Sequence, residues 1–250
     1  MNKKIKDSII GALVLLVVIA LIIFVYSNAK SREQRELERR INALSPRGGI
    51  PQTIDGLREA INIYESQIEF NVQTGAQTGV YWKILAIRLA DRNMHRDALD
   101  ALERAIHFNT SDPTLFHLTG EYASVVAASV VGFSGDAAAE KEQLTNLAEA
   151  GYLRAIELDA TYMRPRLGLG VMYTFDLNRP AEAIPHLEKF VQSSPSNVSG
   201  MFVLARAYYM TENFYPAIEL YDRIIAVSRD QSVQAEAQNN KETIMSQMGF

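Results

Sequence analysis

The chain contains no cysteine among its 250 residues. This absence excludes disulfides, cysteine-ligated zinc, thiol catalysis and a lipid anchor on cysteine. Basic residues are not in excess either, since 25 lysines and arginines are balanced by 29 aspartates and glutamates, for a formal net charge of −4. A chain without a basic excess lacks the charge that neutralises a nucleic-acid backbone. We therefore expect neither a disulfide-stabilised fold nor a nucleic-acid partner.

Charge is also missing from one long stretch near the N-terminus. No charged residue occurs between Ser8 and Ala29, where Ile, Leu, Val, Ala and Phe predominate. About 20 apolar helical residues cross the roughly 30 Å hydrocarbon layer of a bilayer. Residues 8–29 are therefore predicted to form a single transmembrane anchor behind a basic tail, 1–7. The small residues Ser27 and Ala29 leave a cleaved signal peptide as the alternative, although secretory apolar cores usually span about 7–15 residues.

The charges that flank the anchor give conflicting indications of its orientation. Lysines precede the anchor, and Lys30 and several arginines follow it, while positive charge favours the cytoplasmic side. A short N-terminal tail before a large C-terminal domain is the usual layout of a signal anchor. We therefore expect a single-pass protein of the bacterial inner membrane, with its C-terminal domain on the outer, periplasmic side.

A charged helical stalk and a Pro/Gly linker are predicted for residues 30–55. Apolar residues recur at helical spacing among charged ones in 31–44, which indicates a solvated helix supported by pairs such as Glu36 and Arg40. A dimeric coiled coil is the alternative, but its seam requires three or four heptads. Prolines and glycines in 45–53 then break the helix, so the folded domain is expected to follow this linker.

Between residues 79 and 228, small and large apolar residues recur at a fixed period. Ala98 and Ala105 lie seven residues apart, as two positions of one helix face do, and Ala86 and Gly120 lie 34 residues apart. Two helices pack closely only where a small residue lets their backbones approach. The pattern therefore predicts pairs of helices, each of which covers the apolar side of the next pair.

The pattern resembles the tetratricopeptide repeat (TPR), in which an aromatic residue, Leu-Gly-x-x-Tyr, alanine, a second aromatic, alanine and proline recur over 34 residues. The most typical copies are 163–195 and 198–228. The resemblance implies an all-α fold, a solenoid of TPR helical hairpins over 56–250 preceded by the single N-terminal transmembrane helix. Its predicted parts are a half repeat at 56–70, repeats at about 79–112, 113–160, 163–195 and 198–228, and a C-terminal capping helix at 230–248.

The resemblance also implies which residues pack the repeats together. They are Trp82, Ala86, Ala98, Ala105, Gly120, Ala148, Tyr152, Ala155, Gly170, Tyr173, Ala183, Pro195, Ala205, Tyr208, Ala217 and Tyr221. The second repeat departs from the family spacing, because Gly120 and Ala148 lie 28 residues apart whereas Ala86 and Ala98 lie 12 apart. This insert, 122–147, predicts a pair of lengthened helices with their extra apolar surface packed together. An exposed apolar tip that contacts a membrane or a partner is the alternative.

No motif for catalysis is found. The glycines of "LGLGVMY", residues 167–173, resemble a phosphate-binding loop, but no strand precedes them and no third glycine follows at the required spacing. Gly170 is therefore interpreted as a helix-packing glycine. His117 and Glu121 lie one helical turn apart, but two ligands do not make a metal site. We expect no enzymatic activity, no cofactor and no metal.

The resemblance to TPR proteins implies that the first helices of the hairpins bind a protein or peptide partner in a concave groove. The residues expected to face it are Lys83, Ile87, His117, Glu121, Leu167, Val171, Phe202, Arg206 and Tyr209. The predicted function is a membrane-anchored scaffold or adaptor in the assembly of an envelope or membrane complex. One alternative is a small-molecule or lipid-binding accessory protein that uses the apolar insert 122–135. Another is a homo-oligomer in which the groove takes the stalk of a neighbouring copy.

Overall fold

The computed structural model describes residues 54–132 and 135–249, together with Arg35. All regular secondary structure in this part of the chain is helical. The helices are α1 (Ile54–Ala90), α2 (His95–Phe108), α3 (Pro113–Ser129), α4 (Gly135–Leu158), α5 (Arg164–Val171), the π-helical segment Met172–Asp176, α6 (Pro180–Ser193), α7 (Val198–Met210), α8 (Phe214–Val227) and α9 (Gln231–Gln247).

The predicted anchor, 8–29, and the predicted linker, 45–53, lie outside the described residues. Among the helices that the structure describes, none is both long enough and apolar enough to cross a bilayer.

The half repeat predicted at 56–70 is not a separate helix. The described residues divide into two compact units, one that ends at Gly75 and one that begins at Ala76, yet α1 runs through 37 residues without a break. No proline interrupts it, and a glycine costs a helix only about 1 kcal/mol. One of its glycines, Gly79, has a packing role, because a Cβ there would lie 2.9 Å from the Cβ of Phe108.

In the second unit, each helix packs mainly on its neighbours along the chain. Helices α2 and α3 are joined by a short turn, as are α4 and α5 and the helices from α6 to α9. The alanines that pack the repeats have no exposed surface; they are Ala86, Ala98, Ala105, Ala148, Ala155, Ala183, Ala205 and Ala217. Tyr152, Tyr173 and Tyr221 are buried beside them. Trp82 and Tyr208 are only half-buried, and Pro195 is exposed in the turn after α6.

The glycines of "LGLGVMY" lie in α5 and contact other helices. A Cβ on Gly168 would lie 2.6 Å from the Cζ of Tyr152, and a Cβ on Gly170 would lie 2.4 Å from the Cδ2 of Leu187. Both distances are too short for a real side chain, so only glycine allows α4 and α6 to approach α5 this closely. The segment that precedes α5 is a turn and not a strand. A phosphate-binding loop would follow a strand, so this arrangement agrees with a packing role for the two glycines.

The insert in the second repeat lengthens α3 to 17 residues and α4 to 24, whereas α2 and α6 have 14 each. Four of its apolar residues, Tyr122, Ala123, Val126 and Ala127, are buried, whereas Val125 and Leu147 are exposed. Val131, close to the end of the hairpin, is 93% exposed. The described part of the insert therefore contributes apolar side chains both to the repeat core and to the surface.

At the C-terminal end, α9 covers α8. Its first turn is capped by Asp230, whose carboxylate accepts a hydrogen bond of 2.8 Å from the backbone N–H of Ser232. Ala237 and Ile244 are buried against the core, while most other side chains of α9 are exposed and polar. This asymmetry is typical of a terminal helix that ends a stack of repeats.

Candidate functional site

A groove of about 800 Å³ lies between the first helices of the second and third repeats, α3 and α5. Its walls come from α3, α5, the π-helical segment and the turn before α5, and Tyr152 of α4 and Phe190 of α6 contribute from the second helices. Leu167 and Val171 give the groove an apolar side, since Val171 is 36% exposed. Cavities of about 300–1,000 Å³ are typical of ligand-binding sites.

Close helix contacts hold the two walls at this separation. The ring of Tyr152 lies against two glycines at once, because a Cβ on Gly120 would lie 2.6 Å from its Cδ1 and a Cβ on Gly168 would lie 2.6 Å from its Cζ. Gly151 brings α4 even closer to α3, since a Cβ there would lie 2.8 Å from the backbone nitrogen of Gly120. One tyrosine therefore fills the space between both first helices.

The π-helical segment places an acidic residue at the end of the groove. The backbone N–H of Leu177 donates to the carbonyl of Met172, five residues earlier, at 3.0 Å. Gly170 and Ala183 are correspondingly 13 residues apart, one more than Ala86 and Ala98 in the first repeat. The wider turn accommodates this extra residue, and Asp176 lines the groove. π-Helical turns are rare and are often found at functional sites.

His117 is the most deeply buried polar residue of the groove, with 8% of its surface exposed. Its ring packs edge-on against Tyr162, with 5.2 Å between ring centroids. Its Nδ1 is buried without a hydrogen-bond partner, and its Nε2 lies 3.7 Å from a carboxylate oxygen of Glu121. Burial, reinforced by the positive charge of Arg164, lowers the pKa of His117 to about 4. The histidine is therefore uncharged at neutral pH.

Two carboxylates face the groove around Tyr152. Burial, together with the negative charges of Glu121 and Asp176, raises the pKa of Tyr152 to about 12, so its hydroxyl stays protonated. Burial raises the pKa of Asp176 above its usual value, and the nearby positive charge of Lys141 opposes this shift. The groove is therefore acidic at the Tyr152 end.

Four of the residues predicted to face a groove line this one: His117, Glu121, Leu167 and Val171. Lys83 does not line this groove. Its ammonium group is already paired, because its Nζ donates a hydrogen bond of 2.8 Å to the carboxylate of Asp112. Ile87 is half-buried on α1 and does not line the groove.

The three predicted residues on α7 also lie apart from this groove. The ring of Phe202 packs against Tyr221 with 6.0 Å between centroids, and the guanidinium of Arg206 lies 5.2 Å from the ring centre of Tyr209. Tyr209 in turn contacts Phe214 and accepts a hydrogen bond from Gln247. These side chains connect α7 to α8 and α9.

Several residues of the groove were missed by sequence reasoning, among them Tyr152, Tyr162, Arg164 and Asp176. Tyr152 was assigned to repeat packing alone, although it serves both the core and the groove. Tyr162 lies in the turn before α5 and Arg164 is the first residue of α5, where the repeat pattern carries no signal. One feature of the sequence could have indicated Asp176, namely the extra residue between Gly170 and Ala183. That residue widens the helix at the place where Asp176 lies.

Neither metal ligation nor binding by the insert is favoured by the groove lining. Within residues 54–132 and 135–249, no three histidine, aspartate or glutamate side chains come together as a metal site would require. Of the residues of the insert 122–135 that the structure describes, only Ser124 lines the groove. The small-molecule interpretation, which used the insert as a pocket wall, gains no support from this arrangement.

Comparison with known proteins gives the fold. No family model matches the chain, and no curated protein matches its sequence. Among solved structures, MamA from Desulfovibrio magneticus RS-1, from residue 41 to its end, is similar with a TM-score of 0.53 at 15% identity, over 68% of this chain and 94% of that one. PilW, described as a widely conserved type IV pilus biogenesis factor, is similar with a TM-score of 0.54 at 14% identity, over 69% of this chain and 72% of that one.

The fold is a TPR-like helical solenoid. At such low identity, the similarity to MamA and PilW establishes the architecture alone. The described part of the chain is all-helical, as the sequence predicted.

Proposed function

We propose that the chain is a membrane-anchored scaffold that binds an extended segment of a partner protein in the groove between α3 and α5. The observation that carries the proposal is a groove of about 800 Å³ whose apolar side, Leu167 and Val171, stays partly exposed while the surrounding repeat residues are buried. An apolar wall with a few polar groups is typical of binding sites, and peptides are bound in such grooves.

Residues 8–29 would hold this scaffold in the bacterial inner membrane, with the repeats on the periplasmic side. The support is the uncharged stretch itself, which is as long as a bilayer-crossing helix requires. Anchoring would raise the local concentration of the bound partner at the membrane, in the assembly of an envelope or membrane complex.

Site-specific cross-linking tests the binding function. A photo-reactive amino acid is placed at Val171 of the full chain in native membranes, and a matched one at Glu236, an exposed residue of α9 outside the groove. We expect one defined protein adduct from position 171 and none from position 236. The change Leu167→Asp, in a variant whose thermal melt shows a folded domain, should abolish the adduct. Equal adducts from both positions, or an adduct that survives Leu167→Asp, would rule out binding in the groove.

Membrane attachment has its own test. The full chain should resist extraction by alkaline carbonate, and its repeats should be digested by protease added to the outer face of intact spheroplasts. A variant that lacks residues 1–30 should be extracted. Release of the full chain by carbonate would rule out the anchor, and protection of its repeats in spheroplasts would reverse the orientation.

A further inference from the structure

The groove leaves two acidic side chains without a positive partner. Among the described residues, Glu121 pairs only with His117, at 3.7 Å, and this ion pair requires a protonated histidine. Asp176 forms no ion pair with a described residue. Some other carboxylates of the repeats are paired, namely Asp112 with Lys83, Glu140 with Arg96, Glu149 with Arg179, and Asp222 with Lys241, but none of these lines the groove.

His117 cannot neutralise Glu121 at neutral pH. It is nine-tenths buried, lines the groove and has a ring nitrogen without a partner. Because burial keeps it uncharged at neutral pH, it offers Glu121 no positive charge. An uncharged imidazole beside an ionised carboxylate leaves that carboxylate free to accept hydrogen bonds from a ligand.

The groove also has a positive end, which limits where a cation can be held. Arg164 acts on the ionisation of His117 and Tyr162, and Glu121 also acts on that of Tyr162, but the charged groups that act on that of Tyr152 are the two carboxylates Glu121 and Asp176. The negative charge is therefore greatest around Tyr152. Lys141 is close enough to act on Asp176 but forms no ion pair with it.

We propose that the groove selects a partner segment by a lysine or arginine side chain, which Glu121 and Asp176 bind at the Tyr152 end. This inference rests on the proposed peptide-binding function and specifies its ligand. The apolar wall formed by Leu167 and Val171 would hold the aliphatic part of that side chain and its neighbours. Two carboxylates suffice for an ammonium or guanidinium group, whereas a metal ion requires more ligands than this site offers.

A peptide array tests the selection. N-acetylated, C-amidated dodecapeptides carry a fixed central residue, which is arginine, lysine, citrulline or glutamate, between degenerate uncharged flanks. The full chain is labelled at a single introduced cysteine, Ser232→Cys, which the cysteine-free sequence makes unique. We expect the arginine and lysine pools to bind about tenfold more strongly than the citrulline pool, because citrulline keeps the shape of arginine without its charge.

Two isosteric variants provide the matched comparison. The double change Glu121→Gln with Asp176→Asn should remove the preference for arginine over citrulline, whereas Glu236→Gln should preserve it. The preference should also shrink as sodium chloride rises from 50 to 300 mM, since salt screens exposed charges. This salt test needs no variant and holds even if the double variant fails to fold.

The outcomes separate the two proposals. If all pools bind equally, or the arginine preference is insensitive to salt, the cation site is wrong while peptide binding stands. A preference for the glutamate pool would likewise overturn it and would assign recognition to Arg164. If the labelled chain binds no peptide pool more strongly than it binds peptide-free areas of the array, both the cation site and peptide binding in this groove are wrong.

Discussion

At Gly151, the backbones of α3 and α4 come closer than any side chain would allow. A Cβ there would lie 2.8 Å from the carbonyl oxygen of Phe116 and 2.8 Å from the nitrogen of Gly120. Alanine would favour the helix by about 1 kcal/mol, but backbone atoms cannot rotate away, and overpacking costs about 1–3 kcal/mol or more. We therefore predict that Gly151→Ala lowers the free energy of unfolding by about 1–2 kcal/mol in urea titrations.

Gly135→Ala is the matched control for this prediction. A Cβ on Gly135 would have no described residue as a neighbour within 4 Å. We expect this variant to be as stable as the native chain or slightly more stable. If Gly151→Ala were equally harmless, the close approach of α3 and α4 would be refuted.

The buried histidine of the groove predicts a loss of stability in acid. Burial, with a contribution from Arg164, lowers the pKa of His117 from 6.5 to about 4. Between these two values the unfolded chain binds the proton and the folded chain does not, so stability is present above pH 6.5 and falls as the pH falls. We expect His117 to account for about 2 kcal/mol of the loss in unfolding free energy between pH 7 and pH 5.

His117→Phe keeps a ring of similar shape and removes the titrating group. Urea titrations at several pH values should show a much flatter acid response for this variant. His107, an exposed histidine of α2, serves as the control, because His107→Phe should leave the acid loss of the native chain in place. An unchanged acid response in His117→Phe would mean that another group causes the loss.

At the scale of the element, the start of α3 depends on one aspartate. The carboxylate of Asp112 accepts hydrogen bonds of 2.8 Å from the backbone N–H of Thr114 and of 2.8 Å from Lys83. Burial raises the pKa of Asp112, but Lys83 and Thr114 outweigh this effect and hold it below its usual value. The residue therefore caps one helix and fixes it to another.

Asp112→Asn should keep the cap and lose the ion pair, at about 0.5–1 kcal/mol, whereas Asp112→Ala should lose both, at about 2 kcal/mol. Thermal and urea unfolding would measure the two steps. At the exposed cap of α9, where Asp230 has no lysine partner, Asp230→Asn should be close to neutral. Equal losses for Asp112→Asn and Asp112→Ala would mean that the cap contributes nothing.

At the same scale, the elements differ in how well the sequence predicts them. The short hairpins were predictable, because Ala98 and Ala105, or Ala205 and Ala217, report a local contact with a fixed period. The long helix α1 was not, because the family period led us to expect a turn between 70 and 79, where no residue breaks the helix. The pairing of Lys83 with Asp112 could not be predicted from a local pattern either, since the two residues lie 29 positions apart in the sequence.

At the scale of the whole molecule, the repeats of the second unit should respond to damage locally. Each helix contacts mainly its chain neighbours, so stability is close to a sum over adjacent pairs. Ile244 of α9 is 2% exposed, and Ile244→Ala should cost about 2–4 kcal/mol. We predict that hydrogen exchange in this variant loses protection in α8 and α9 while α3 and α4 keep theirs.

Glu242→Ala, at an exposed residue of the same helix, should change stability by less than about 0.5 kcal/mol and leave the exchange pattern unaltered. Uniform loss of protection across all helices of the Ile244→Ala variant would show instead that the second unit unfolds as a single cooperative block.

The groove was only half predictable at this scale. The repeat pattern identified His117, Glu121, Leu167 and Val171, because first-helix positions recur in register. The pattern does not show which pair of first helices forms the groove. Phe202 and Arg206 on α7 were therefore predicted to face it as well. What distinguishes α3 and α5 is the irregular part of the chain, namely the turn with Tyr162 and the widened helix with Asp176.

Tyr152 belongs to the interior and to the groove at once, since its ring is pressed between Gly120 and Gly168. A bound peptide could displace this ring only by separating two hairpins. The conformation of the groove therefore cannot change readily on binding. We therefore expect the peptide to bind to a preorganised, rigid groove. Free and occupied forms should superimpose closely, and little conformational entropy should be lost by the receptor on association.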